Sequence, residues 1–415
     1  MKKALIGLLV VALLVAGAGA AYYFYKRHQE RDIRGSSSVE FVTTDVPENV
    51  AKPERGIDWP MYGYDEQRTR VAPSTLRPPF RRLWWFGARS LLEFPPAVGY
   101  GRLFFSSNAG VTYAVGAHNG RRAWRHSSGR CVASSPALSG RLVFQAFLNK
   151  HPCNASGSGL NGQVAAYYVG SGQTRWSRTI GPSETSPLVR RGSVYVGDWN
   201  GDIWALNANT GRVRWKYHTD GKVKGGLAFA AGRLYVGSYD HHVYCLRASD
   251  GKLVWRASAQ EALGSAANFY STPAVAYGRV YIGGTDGKVY SYGASSGKLR
   301  WSHDTGGYVY ASPALWRQRV FAGSYSGKFF AFDAATGDVR WQFDAHGQIS
   351  GSATVLDGIV YFATLDNRTY ALNAVTGRQV WTFPDGKYSP VVADEKRLYL
   401  VGYARLYGLV PRHKR

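Results

Sequence analysis

The chain has 415 residues, 45% of them hydrophobic, 14% aromatic and 19% charged. That is enough apolar mass for a large core and too little charge for a disordered chain. Lysine and arginine number 51 against 27 acids, a net charge of +24. An excess of that size favours an anionic partner such as acidic lipid or an anionic wall polymer. No dense basic run is present, so the first reading is solvating charge on strand edges, not a nucleic-acid surface.

Met1-Lys2-Lys3 precedes an uncharged apolar run from Ala4 to about Phe24, the roughly 20 residues needed to cross a bilayer. Tyr22, Tyr23, Phe24 and Tyr25 come next, where an interfacial aromatic belt would lie, ahead of Lys26-Arg27. Residues 1–25 therefore read as a single transmembrane helix acting as a signal anchor, with the rest of the chain extracytoplasmic. Small-residue triplets at Ala16–Ala18 and Ala18–Ala20 allow the alternative, secretion after cleavage, but the apolar run continues past them. Residues 26–58 are polar, with Ser36–Ser38 and Glu40, Asp45, Glu48 and Glu54, and read as a flexible linker. Residues 59–79 read as a lead-in packed on the domain surface.

From residue 80 to 411 one unit repeats. Its clearest copy is Val194–Trp215, VYVGDWNGDIWALNANTGRVRW, with variants at Leu234–Trp255, Val280–Trp301, Val320–Trp341 and Val360–Trp381. A Gly-x-x-x-Trp ending recurs at Trp124, Trp176, Trp215, Trp255, Trp301, Trp341 and Trp381, at spacings of 52, 39, 40, 46, 40 and 40. That period is one four-stranded propeller blade. Three strands' worth of sequence comes after Trp381 without a closing Trp, whereas Phe80–Phe86 carries Trp84 in the corresponding place. The fold expected is all-β: an eight-bladed, monomeric propeller whose N-terminal strand completes the last blade.

Ten residues before each of the seven tryptophans stands a small residue: Ala114, Ala166, Ala205, Cys245, Ser291, Ala331 and Ala371. A bulky indole on the outer strand needs a small neighbour on the third strand, with the Gly in the turn between them. Cys245 in that slot is a packing residue. The full pattern, Ala-x-Asp/Asn-x-x-Thr-Gly-x-x-x-Trp at Ala205–Trp215, Ala331–Trp341 and Ala371–Trp381, resembles the tryptophan-docking motif of the pyrroloquinoline quinone (PQQ) repeat propellers. That family holds quinoprotein dehydrogenases and also non-catalytic, BamB-like envelope assembly factors, which keep the repeat without the cofactor.

Function is expected where the copies differ. Blade 2 carries extra residues at Ala146–Asn161, and the loop into blade 5 is lengthened at Ala257–Tyr270, including Glu261. Cys131 and Cys153 fall on the same face as these insertions and are expected to form a disulfide, which suits an oxidising compartment. His126 and His303, two residues after their Trp, read as packing aromatics, and Asp240-His241-His242 as a turn. Three residues before the Pro that opens each inner strand, or before Leu227 in the corresponding place of blade 4, the blades carry Glu93, Glu184, Lys224, Tyr270, Tyr310 and Lys387. These are the candidate partner site at the mouth of the central channel, with a solvated rim as the plain alternative.

By resemblance, a quinoprotein dehydrogenase would hold PQQ with calcium on the axis, using a catalytic Asp, acidic and amide metal ligands and an adjacent-cysteine disulfide. No adjacent cysteines occur here, and the only propeller glutamates are Glu93, Glu184, Glu261 and Glu395, too few to assemble a calcium site. The expectation is therefore no catalytic, cofactor-binding or metal residues, and a scaffold that binds an envelope protein. A PQQ-dependent dehydrogenase and a binder of an anionic envelope polymer are the alternatives.

Overall fold

The computed structural model describes residues 2–29, 31–44, 53–153, 159–260 and 267–412. A helix spans Lys2–Gln29, and its stretch Ile6–Phe24 is unburied, long enough and apolar enough to cross a membrane.

Seven four-stranded antiparallel blades run in chain order from the axis outward, over residues 97–127, 137–180, 188–218, 228–258, 274–304, 314–344 and 354–383. The eighth takes Val392–Ala393, Leu398–Val401 and Arg405–Pro411 from the end of the chain and Phe80–Gly87 from the other side of the ring. Phe80 pairs with Pro411 and Gly87 with Arg405, so the ring is closed by the strand expected to close it. Inner strands are buried on both faces, whereas outer strands alternate; in Arg122–Ser127 only Trp124 is buried. This is the period-two pattern of an edge strand covering a core on one side.

Each small residue sits directly across from its Trp: Ala114 from Trp124, Ala205 from Trp215, Ser291 from Trp301, Ala371 from Trp381, and Gly408 from Trp84. The repeat Gly does more than turn the chain. A Cβ on Gly211 would lie 2.5 Å from the Trp176 ring of the preceding blade, and one on Gly120 would lie 2.6 Å from Trp84. The indole N–H then donates to a carbonyl of that next blade, Trp176 to Ala208 at 2.7 Å and Trp301 to Ala334 at 2.9 Å. Docking is thus between blades. Trp381 departs from the pattern, because the third and outer strands of blade 8 come from opposite ends of the propeller sequence and no Gly turn joins them; it packs edge-on against Phe80 instead.

Two expectations are corrected. Residues 57–72 do not lie on the domain surface but run through the axial channel. Ile57–Trp59 pairs with the inner strand of blade 1 and Val71–Ala72 with that of blade 7. Between them, Pro60, Glu66, Gln67, Thr69 and Arg70 offer carbonyls to Leu138, Phe229, Val275, Leu315 and Val355. The inner strands expose unpaired N–H groups to the channel, and the lead-in satisfies them. Arg68 and Arg70, fully buried, donate to the carbonyls of Leu227, Ser186 and Pro313.

Nor do residues 31–44, within the segment read as a flexible linker, hang free. Ile33 exchanges two 3.0 Å backbone hydrogen bonds with Ser302 on the outer strand of blade 5, and Arg34 pairs with Asp338 at 2.8 Å. Burial would raise the Glu40 carboxyl, but the hydroxyls of Ser295 and Ser296 and the Arg300 guanidinium outweigh it and hold it at about 2. Phe41 stacks on Tyr277 at 5.6 Å. Within residues 26–58, residue 30 and residues 45–52 lie outside the described residues.

Candidate functional site: the channel mouth on the loop face

Successive antiparallel strands put the loops between blades and those joining second to third strands on one face of the disc, the loop face. The remaining turns lie on the opposite, turn face. The residue just before each Pro, or before Leu227 and Ala353 in the corresponding place of blades 4 and 7, lines the innermost ring on the loop face. There the backbone N–H groups of Gly226, Thr272 and Ser312 donate to the hydroxyls of Thr272, Ser312 and Ser352 in the next blade, at 2.8–2.9 Å.

Two residues outward, Glu93, Glu184, Lys224, Tyr270 and Tyr310 come together around one axial pocket, with Tyr62 of the lead-in in its wall. Lys224 Nζ lies 3.0 Å from Glu184 Oε1, and the Tyr270 hydroxyl donates to Glu184 Oε2 at 3.0 Å. The ammonium also lies over the rings of Trp199, Tyr239 and Tyr270, at 4.7, 5.4 and 5.8 Å from their centroids. It is a cation in an aromatic enclosure, tied to a carboxylate. Burial, and then the neighbouring Glu184 charge, push the Glu93 carboxyl up to about 7 against the pull of Lys224. Burial likewise raises the Tyr270 hydroxyl well above its usual range, with Glu184 and Glu93 adding to it.

Lys387 is not part of this cluster. The inner strand of blade 8 is only Val392–Ala393, and Gly386 before it takes φ 117°. Tyr388 therefore enters the pocket, while Lys387 lies over Tyr388 and Tyr403 and lines a separate hollow with Asp385 and Asn367.

A second ring was missed by sequence reasoning although its signal was present. The loops between second and third strands carry Trp199, Tyr239, Tyr325 and Tyr403 at one register position, two residues after the glycines at 197, 237 and 323 in the first three cases. Tyr325 packs against Tyr308 and Tyr310, and Tyr308 and Tyr403 are just over half exposed. Trp199 also borders the blade 2 insertion, where it packs beside Phe94 on the Cys131–Cys153 disulfide, whose Cα atoms are 5.5 Å apart. Residues 154–158 of that insertion and Glu261 of the blade 5 loop lie outside the described residues. The remaining singled-out residues pack: Cys245 is fully buried, its thiol pushed by burial up to about 12, His126 lies 4.6 Å from the Tyr167 ring, and His303 lies against Phe332. His242 Nδ1 is 2.7 Å from the Asp240 carbonyl within its turn.

The pocket has a volume of about 50 Å³, room for one or two waters and well short of the roughly 300–1,000 Å³ of a small-molecule site. Of its two carboxylates, Glu184 is already taken by Lys224 and Tyr270. A calcium-chelated quinone needs several convergent free oxygens and far more space. These residues do not fit it.

Among curated proteins, the chain is 28% identical over 142 residues to a tetrathionate hydrolase of Acidithiobacillus ferrooxidans, covering 30% of this chain and 28% of that protein. It is 26% identical over 178 residues to the outer membrane protein assembly factor BamB of Salmonella typhimurium, covering 32% and 45%. The matched stretches thus span less than half of either relative. Among solved structures, BamB from Moraxella catarrhalis superposes with a TM-score of 0.66 at 16% identity, covering 80% of this chain and all of that one. The quinohemoprotein alcohol dehydrogenase from Comamonas testosteroni gives 0.71 at 14%, covering 86% and 81%. Those likenesses share the fold and stop there. A family model described as outer membrane protein assembly factor BamB matches residues 81–186, 153–217, 200–314 and 287–412, from the closing strand to the last one, and the chain belongs to this PQQ-repeat propeller family.

Proposed function

We propose that the protein is a membrane-anchored, extracytoplasmic propeller that serves as a non-catalytic, protein-binding scaffold in the bacterial cell envelope and binds its partner on the loop face. The observation that carries this reading is the self-filled mouth. Lys224 occupies the enclosure of Trp199, Tyr239 and Tyr270 and neutralises Glu184, while the lead-in runs through the channel beneath. Among the described residues the axial pocket, at about 50 Å³, is too small for a reaction chamber, whereas around it stand exposed aromatic rings of the kind that anchor protein interfaces. The name of the Salmonella relative, an assembly factor, points the same way. The Cys131–Cys153 disulfide suits an oxidising compartment, and the N-terminal helix supplies the anchor.

The test is crosslinking in native membranes with a photo-reactive residue at Tyr308 or Tyr403. Exposed outer-strand positions Val254 and Val339 serve as controls. One protein should be captured from both loop-face positions and from neither control; capture from all four alike, or from none, defeats the reading. Added PQQ and calcium should produce no dye reduction.

The anionic-polymer reading also has an observation in its favour. On the turn face between blades 3 and 4, a depression of about 770 Å³ is lined by Arg190, Arg191, Arg233, Arg247 and Lys252. Glu66 pairs with Arg190 and Asp250 with Arg247, leaving a cationic surplus. Salt-sensitive retention on an anionic polymer, lost on replacing Arg191, Arg233 and Lys252 by Ala, would favour it.

A further inference from the structure

We infer that residues 31–42 are a strap that fixes how the disc sits on the bilayer, holding the blade 5 side of the loop face toward the lipid surface. The partner bound on that face is then itself a membrane-resident protein. This rests on the anchored-scaffold reading above and adds the orientation that reading lacks.

The strap has a definite direction. The outer strand of blade 5, Leu299–Asp304, starts at a turn on the turn face and ends on the loop face. The strap runs beside it in the opposite sense. Asp32 meets the loop-face end, accepting from the Asp304 backbone N–H at 2.7 Å and lying 3.0 Å from His303. The Arg31 carbonyl accepts from Gln260, also at that end. By Glu40 the strap has reached the turn face, where it meets Ser295, Ser296 and Arg300, and Val42 donates to the Tyr277 carbonyl at 3.0 Å.

Little slack separates the strap from the membrane helix. The helix ends at Gln29 and docking begins at Arg31. At no more than ~3.6 Å per residue, the helix end lies within about 11 Å of the loop-face end of that strand. A free linker of residues 26–58 would instead have a reach of about 30 Å, at ~5–6 Å × √n, and would permit any orientation.

The strap is also built into the propeller. Arg279 of blade 5 has no exposed surface, and its guanidinium donates to the carbonyls of Ser36, Val39 and Glu40 at 2.9, 2.5 and 2.7 Å. Without the strap this guanidinium would lose three backbone acceptors and open to water. Gly35 packs so closely that a Cβ there would come within 2.4 Å of the Ala335 carbonyl and 3.0 Å of the Trp301 ring.

The test uses full-length protein in vesicles containing an acceptor-labelled lipid, with a donor dye on Tyr308→Cys on the loop face or on Arg191→Cys on the turn face. The one native free cysteine among the described residues, Cys245, is fully buried. A six-residue strand at ~3.4 Å per residue separates the faces by about 20 Å. Energy transfer should be clearly higher from 308 than from 191. Inserting roughly 20 Gly/Ser residues between Gln29 and Arg31, with a reach of about 25 Å, should erase the difference while leaving every strap contact in place. Equal transfer, higher transfer from 191, or a difference that survives the insertion overturns the orientation. The mass of the membrane-bound chain separates the two readings. Cleavage within Ala16–Ala20 overturns the anchor and the orientation together, whereas an intact chain with equal transfer overturns the orientation alone.

Discussion

Replacing Trp301 by Ala should lower stability by about 3–5 kcal/mol, the upper range for a single core truncation, and by more than Trp215→Ala does. Both indoles stand opposite a small residue and donate to the next blade, Trp301 to Ala334 at 2.9 Å and Trp215 to Ala248 at 3.0 Å. Their covers differ. Trp301 is wholly buried because Gly35 of the strap lies over its edge, while Trp215 is only partly buried. Trp301 also packs against Tyr281 and Phe332, so its removal opens a cavity lined by rings that cannot collapse into it. The measurement is apparent Tm for both variants, alone and in a chain lacking residues 2–44. Without the strap the two tryptophans should cost nearly the same. Equal costs in the full-length protein would show that the strap adds nothing to the blade 5–6 junction.

The contrast between those two tryptophans also marks how far the fold was legible. Everything carried by the repeat could be read, because seven copies of Gly-x-x-x-Trp with a small residue ten positions earlier form an internal alignment. The number of blades and the closing role of Phe80–Gly87 come from it. What the alignment conveyed only in part was the reason for the glycine, since its tight neighbour is the indole of the previous blade, some 35 residues earlier in the chain. The strap and the channel-filling lead-in were illegible for a different reason. They have no period, and their partners are backbone groups of distant strands; Arg279 reaches carbonyls about 240 residues away. Polar segments with serines and acids look alike whether they are solvated or docked.

At the channel mouth, the register before Pro placed five residues together and failed at Lys387, where blade 8 has a two-residue inner strand and positive φ at Gly386. The aromatic ring at Trp199, Tyr239, Tyr325 and Tyr403 was available from the same alignment. Its residues sit in short connections like Asp240-His241-His242, where residue type is usually set by backbone conformation alone.

Lys224→Met should destabilise the protein by about 3–5 kcal/mol at pH 8, the usual cost of removing one partner of a buried ion pair. Lys224 and Glu184 side chains are 20% and 8% exposed, so the carboxylate left behind keeps only the Tyr270 hydroxyl and has little access to water. Glu93 adds a pH dependence whose sign is fixed by its environment. Burial and Glu184 raise its carboxyl to about 7 from an ordinary 4.5, so the folded protein favours the protonated form. That contribution is complete below about 4.5 and is lost as pH rises through about 7, with a magnitude on the order of 3 kcal/mol. Removing the opposing Lys224 charge raises the Glu93 carboxyl further, so Lys224→Met should lose more stability at pH 8 than at pH 5. Glu93→Gln, neutral at every pH, should be more stable than the parent at pH 8 and close to it at pH 5, and combined with Lys224→Met it should recover part of the loss. Apparent Tm at the two pH values, across the single and double variants, checks the scheme. A Lys224→Met loss equal at both pH values, with Glu93→Gln unchanged, would mean that the mouth is solvated and that its ion pair is a surface one worth little. If the losses track pH as expected, the channel mouth is a dry, pre-formed platform that Lys224 keeps closed, and any partner must read the rings around it.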